Sequence, residues 1–342
     1  MDKKIIFAVA GSGKTTHIVK GLSADKRSLI VTYTNGNYDN LHKKISNKFG
    51  GKWPENVTLM TYFTFLYGFC FKPFLSDLCG SKGITFEPNP NMYAKKTCSS
   101  YYMTPNRYLY SNRLAMLLEE KGILDALKAR IKKYFDEFII DEVQDISGRD
   151  FNFLEHLMSA NVNMLFVGDF YQHTYDTSRD GNVNKSLFND RSAYEARFTS
   201  KGFVPDSTTL TNSWRCSGDV CNYVRDNLGI EISSHRTHTD NTSIEHIADV
   251  DKVSSILEDS KIVKLHYQNS AKFGVDRRNW GDTKGEDGFH DVCVVLNKTT
   301  ANKRNAGKLT TLAQSTKNKL YVAITRARGN VYFVDESTDC QG

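Results

Sequence analysis

The chain lacks any apolar run approaching the roughly 20 residues that span a bilayer, so no membrane partner is expected of it. A cleavable leader is not expected either. The charged MDKK start is followed by a short apolar stretch that runs straight into a glycine-containing loop, which cleavage would destroy. Seven cysteines, at positions 70, 79, 98, 216, 221, 293 and 340, form no CxxC pair, and the nearest spacing is Cys216 to Cys221. That scatter argues against a zinc site or a disulfide framework. It points to reduced thiols in a cytoplasm, bacterial or that of a virus-infected host. Internal repeats and low-complexity tracts are absent, and no strong charge imbalance exists. The 45 Lys and Arg against 39 Asp and Glu leave a net charge of +6, which permits a polyanionic partner without demanding one.

What is present reads as a globular α/β chain. At 342 residues, 39% hydrophobic and 25% charged, it is long enough for two domains with separate cores. Short apolar runs alternate with helix-period segments, the pattern of parallel sheets. Candidate strands are Ile5–Ala8, Ser28–Thr32, Val57–Met60, Phe138–Asp141 and Met164–Val167 in a first block. Thr208–Leu210, Ile262–Leu265, Val292–Leu296 and Val331–Val334 follow in a second, with a helix over Leu312–Thr325. Within the first block, Gly80 to Pro105 turns to Asn, Pro, Ser, Lys and Tyr, an irregular insertion. Ser111 to Phe135 returns to helical periodicity with Leu114, Leu117 and Leu118 on one face.

The most specific chemistry lies at Ala8 to Thr15, read AVAGSGKT, between a strand and a helix. This is a phosphate-binding loop. Gly11 and Gly13 let backbone N–H groups turn inward, and the following helix adds its positive N-terminal dipole. Ala10, Ser12 and Thr16 complete the cradle, Lys14 reaches the β- and γ-phosphates, and the Thr15 hydroxyl is the first Mg²⁺ ligand. The strict GxxxxGKT pattern fails only at its first position, where Ala8 replaces glycine. The second half of such a site is a strand ending in acids, and FIIDEVQD, residues 138–145, supplies it. Asp141 is the second Mg²⁺ ligand and Glu142 the general base that polarises the attacking water.

DEVQD resembles motif II of the UvrD/Rep-like branch of superfamily 1 DNA helicases, and further motifs follow in that family's order. Residues 32–35, TYTN, resemble motif Ia, and 61–65, TYFTF, resemble motif Ib with Phe63 where histidine is usual. VGDFYQ at 167–172 resembles motif III, and LTNSWRCS at 210–217 resembles motif IV with Trp214 for the usual tyrosine. Residues 283–285, TKG, are similar to the centre of motif V, with Gly281 at the usual upstream histidine position. YVAITRAR at 321–328 closely matches motif VI. The series spans residues 8 to 328.

The resemblance implies two tandem RecA-like parallel-sheet domains with the nucleotide in the cleft between them. Domain 1A would cover residues 1–205, with a small insertion at about 70–133, and domain 2A residues 206–342. It implies an ATP-dependent translocase on single-stranded DNA that unwinds duplex, moving 3′ to 5′, with ATP and Mg²⁺ as cofactors. Arg215 and Arg326 are the implied arginine fingers, and Gln172 senses the γ-phosphate. Trp214 stacks on the base, with Gly285 and Asp287 near the nucleotide. Tyr33, Asn35, Thr61, Tyr62 and Phe63 would contact DNA, the aromatics by stacking and the polar groups on the backbone. Such residues leave the sugar unspecified, so RNA remains an equivalent track. Single strands and duplex junctions are the expected partners, with accessory replication or repair proteins beside them.

The chain departs from the family in its brevity. About 75 residues separate motifs Ib and II, and about 70 separate IV and V, too few for the large second-lobe accessory domain. The phosphate loop also starts too early for the upstream glutamine segment that reads adenine, so base selectivity is expected to rest on Trp214. A nucleotide-gated clamp or subunit without unwinding activity of its own is the alternative. A small-molecule kinase would not carry the paired arginine motifs.

Overall fold

The computed structural model describes residues 1–174, 182–236, 241–286 and 288–339. The chain forms two compact units. One comprises Met1–Ile6, Thr15–Gly168 and Asp176–Asp206; the other comprises Phe7–Lys14, Asp169–Tyr175 and Ser207–Gly342.

The first unit is built on strands β1 (Lys3–Phe7), β2 (Ser28–Thr32), β3 (Val57–Thr61), β4 (Gly83–Thr85), β5 (Tyr108–Tyr110), β6 (Glu137–Asp141), β7 (Asn163–Gly168) and β8 (Val204–Asp206). Six of them form one sheet in the order β3-β2-β6-β7-β1-β8. All five residues of β2 are buried, as a near-continuous apolar run requires when helices cover both faces. The register sets Thr32 of β2 beside Thr61 of β3, and Asp141 of β6 beside Val167 of β7. Motifs Ia, Ib, II and III therefore all leave the sheet at neighbouring carboxyl ends, where open α/β sheets place ligands. The insertion is irregular over most of residues 80–105, as expected, apart from β4 and the short helix Ser99–Tyr102. It contains the separate parallel pair β4–β5 and the helices Ser111–Glu120 and Leu124–Tyr134, with Leu114, Leu117 and Leu118 buried as expected.

The second unit holds β9 (Asn212–Ser213), β10 (Ser233–Ser234), β11 (Ile244–His246), β12 (Val263–His266), β13 (Arg277–Asn279), β14 (Val292–Leu296) and β15 (Val331–Asp335). Five of these make a parallel sheet in the order β11-β15-β14-β12-β13. Its core gathers β14, the helices Gly218–Leu228 and Gln314–Ile324, and a fully buried Trp280 whose indole N–H donates to Leu265 O at 2.9 Å. The expected strand at Thr208–Leu210 does not form. The chain pairs instead at Val204–Asp206 and Asn212–Ser213. β8 contains Pro205 and pairs only with β1 at the sheet edge, where a residue without an N–H is tolerated.

Candidate nucleotide and nucleic-acid sites

Both loop glycines take left-handed backbone angles, φ +69° at Gly11 and +88° at Gly13, which other residues adopt only with strain. Gly11 is needed for space as well. A Cβ there would stand 2.7 Å from Arg215 Cβ and 2.7 Å from Ser213 Oγ. Ala8 has no left-handed backbone angle, so alanine fits where the pattern has glycine. The loop rests on motif IV: Val9 N donates to Leu210 O and Trp214 N to Gly11 O, each at 2.9 Å. Ala10, Ser12 and Lys14 are buried, and Ser12 Oγ has no hydrogen-bond partner inside the loop. Thr15 is half-buried and Thr16 is exposed, its hydroxyl accepting from Lys44 Nζ at 3.1 Å.

Motif VI reaches the same loop through a residue to which the sequence reading gave no role. The Tyr321 hydroxyl accepts from Ala10 N at 2.8 Å and donates to Asp169 Oδ2 at 2.9 Å. Asp169 Oδ1 in turn accepts from Tyr171 N and caps the short turn that carries Gln172. Burial, then the charge of Asp169, pushes the Tyr321 phenol well above the usual range, so it stays a donor. The available signal was a tyrosine within the apolar face of a buried helix, since a buried phenol needs a partner.

The expected arginine fingers are held by backbone. Arg326 is buried, with Nε donating to Val322 O at 3.3 Å and Nη1 to Thr283 O at 3.2 Å and Glu286 O at 3.1 Å. Arg215 is half-buried and its Nη1 donates to Thr325 O at 3.1 Å. Gly285, at φ +85°, is the turn of motif V, and Gln172 is buried. Trp214 is 65% exposed and stacks on His235, with ring centres 3.9 Å apart and 16° between planes. A Cβ on Gly13 would meet the indole at 3.8 Å. Asp287 lies outside the described residues.

In the first unit, Asp141 is buried at the end of β6 and Glu142 follows in a left-handed conformation, φ 58° and ψ 48°. Such a backbone is strained for a residue with a Cβ and is found at functional turns. Gln144 Nε2 donates to Glu142 Oε2 at 2.5 Å. Motif III packs directly on this turn: a Cβ on Gly168 would lie 2.3 Å from Gln144 Oε1 and 2.9 Å from Val143 Cγ1.

The residues of motifs Ia and Ib gather in the same unit. Thr34 caps the helix Asn35–Lys48 by accepting from Asn37 N, which leaves Asn35 exposed in its first turn. Thr61 caps the next helix by accepting from Thr64 N. Tyr33 and Phe63 are half-buried, with ring centres 5.8 Å apart. Tyr62 is buried beneath them, 6.1 Å from Tyr33 and 5.5 Å from Phe63, so its ring presents no face outward. Among the described residues, no helix is long and apolar enough to cross a membrane.

Two family models match the chain, the AAA domain over residues 2–178 and the viral superfamily 1 RNA helicase core domain over residues 109–335. No curated protein gives a significant match. Among solved structures, the chain is similar to arterivirus nonstructural protein 10 (helicase) in complex with DNA. The identity is 14% and the TM-score 0.52, over 98% of this chain and 61% of that one. A PRRSV helicase matches at 14% identity and a TM-score of 0.49, over 99% and 53%. The chain thus spans about three fifths of the arterivirus protein.

Proposed function

The chain belongs to the superfamily 1 helicases, and from that premise we propose that it is a nucleic-acid-stimulated NTPase that moves along single-stranded DNA 3′ to 5′ and separates duplex. The observation that carries the reading is the attachment of the phosphate loop to the two arginine-bearing motifs. Gly11 bonds to Trp214 of motif IV, and Ala10 bonds to Tyr321 of motif VI. A loop that only bound nucleotide would need neither.

The roles follow the UvrD/Rep-type motif series, which is part of the proposal. The left-handed glycines and the partnerless Ser12 hydroxyl form a concave, donor-rich loop that fits an anionic phosphate chain. Lys14 neutralises its β- and γ-oxygens. Thr15 and Asp141 would hold Mg²⁺, which when bound withdraws charge from the phosphate oxygens. Glu142, fixed by Gln144, orients and deprotonates the attacking water. Arg215 and Arg326 stabilise the charge that spreads over the transferred group, and Gln172 reads its presence. Trp214 holds the nucleoside by stacking, with Gly285 and Asp287 as the further nucleotide contacts that the motif series implies, so ATP and GTP serve alike. Tyr33 and Phe63 stack on bases, Asn35 and Thr61 hold the strand's backbone, and Tyr62 supports them from below. A cytoplasmic site of action, duplex junctions as substrate and replication or repair proteins as partners complete the proposal.

NTP turnover measured with and without oligo(dT) or oligo(U), followed by strand displacement on tailed duplexes of each polarity, tests it. Stimulation and displacement of 3′-tailed duplex are expected, and Lys14→Ala or Glu142→Gln should abolish turnover. Turnover indifferent to both polymers would overturn the reading, and stimulation without displacement would leave the clamp in its place.

A further inference from the structure

A cavity of about 1000 Å³ opens in the first unit between the motif Ia and Ib aromatics and the insertion. Tyr33, Asn35, Phe63, Tyr67, Lys72 and Phe86 are among the residues that line it. The insertion's share follows from the backbone. The helical run after β3 widens over Phe65–Phe71 into a π-helix, where Lys72 N–H donates to Tyr67 O five residues back. Such turns cluster at functional sites because they redirect side chains. β4 then pairs in parallel with β5, Thr85 beside Tyr110, so Phe86 and Asn112 leave the pair at one end and both line the cavity.

We propose that this cavity is a nucleobase pocket for single-stranded nucleic acid, with Phe86 of the insertion as a base-stacking wall. The proposal rests on the helicase reading and adds to it a binding element that the motif series does not contain. Phe86 is 67% exposed, an unusual position for a phenylalanine, yet it is not free to swing. Its ring stands edge-to-face on Phe63, centres 4.9 Å apart at 90°. That contact holds the ring at the cavity wall in advance of binding. The walls offer what an unpaired nucleotide needs: flat apolar faces, amide groups at Asn35 and Asn112 for base edges, and one cation, Lys72, for phosphate. No acidic residue lines the cavity among the described residues, in keeping with a polyanionic occupant. The volume stands at the upper end of small-molecule pockets, about 300–1000 Å³, so more than one nucleotide fits.

Fluorescence anisotropy of labelled oligo(dT) and oligo(U) over a salt series tests the assignment. Phe86→Ala is expected to weaken binding about 5- to 150-fold, the range for loss of one base–aromatic stack. Phe86→Trp should retain affinity, and Phe86→Leu should behave as Phe86→Ala because it lacks a ring face. The salt slope should be unchanged in Phe86→Ala, since stacking releases no counterions, and shallower by about 0.7 in Lys72→Ala. Tyr93→Ala is the control, a still more exposed aromatic of the insertion outside the cavity lining, and should bind as wild type. Wild-type affinity in Phe86→Ala or Phe86→Leu would overturn the proposal, as would a loss in Tyr93→Ala equal to that in Phe86→Ala. Failure of the unsubstituted protein to bind either oligonucleotide would instead overturn the helicase reading beneath it.

Discussion

Replacing Tyr321 by phenylalanine removes one oxygen from the interior and takes a hydrogen bond from each of two polar partners. The Ala10 N–H loses its acceptor at 2.8 Å and the Asp169 carboxylate loses a donor at 2.9 Å. Tyr321 is fully buried, so water cannot replace the hydroxyl without opening the packing around it. An unsatisfied buried amide costs about 1–3 kcal/mol, and a hydrogen bond to a charged group is worth about 1.5–3 kcal/mol. The two losses share one oxygen and do not add fully, so about 2–4 kcal/mol is expected. At roughly 2–4 °C per kcal/mol, that lowers Tm by about 5–15 °C. A double-mutant cycle with Asp169→Ala should return a coupling of about 1–3 kcal/mol. The functional consequence should fall on nucleotide binding. Tyr321 orders the loop backbone and touches no reacting atom, so KM for ATP should rise more than kcat falls. A Tm within about 2 °C of wild type, with no coupling to Asp169, would refute the idea that this hydroxyl holds the loop.

Gly168→Ala places a methyl against Gln144 and Val143, and should lower turnover by displacing the group that fixes Glu142, at about 1–3 kcal/mol of stability from overpacking. Single-turnover hydrolysis and urea unfolding check both effects, and full activity would break the link between motifs II and III. Arg326→Ala should abolish hydrolysis and also destabilise by about 3 kcal/mol or more, since three backbone carbonyls lose their donor. Unfolding midpoints beside turnover separate the two losses, and retained turnover would remove Arg326 from catalysis. His266, buried and stacked on Phe273 at 4.2 Å, has its imidazole pushed down to about 4 by burial and then by Arg277. The unfolded chain therefore binds the extra proton first. His266 contributes nothing to pH dependence above about 6.5, and stability falls by up to about 3 kcal/mol as pH drops from there toward 4. Urea midpoints across that window, compared with His266→Leu, should show the slope in wild type and its flattening in the variant.

Where local chemistry alone fixes an element, the sequence was readable. Ser28–Thr32 and Val292–Leu296 form strands with the expected bounds, because a five-residue apolar run between turn residues has one favourable way to bury both faces. The motif residues of the phosphate loop and of DEVQD lie at strand ends as read. The strand expected at Thr208–Leu210 forms earlier, at Val204–Asp206, because the sheet has an edge beside β1 where Pro205 costs no hydrogen bond. Tyr62 reads as a stacking ring from its place in motif Ib, and only packing shows it buried beneath Tyr33 and Phe63.

The sequence by itself determined the phosphate chemistry, the two parallel-sheet blocks and the order of the motifs. Each depends on residues within a few positions of one another and on the period of a single strand or helix. Tertiary structure decided which atoms meet. Tyr321 joins Ala10 and Asp169 across 311 and 152 residues of chain, and Phe86 turns onto Phe63 through the pairing of β4 with β5. Contacts of that reach depend on how sheets and helices pack, and a linear pattern carries no register between elements so far apart.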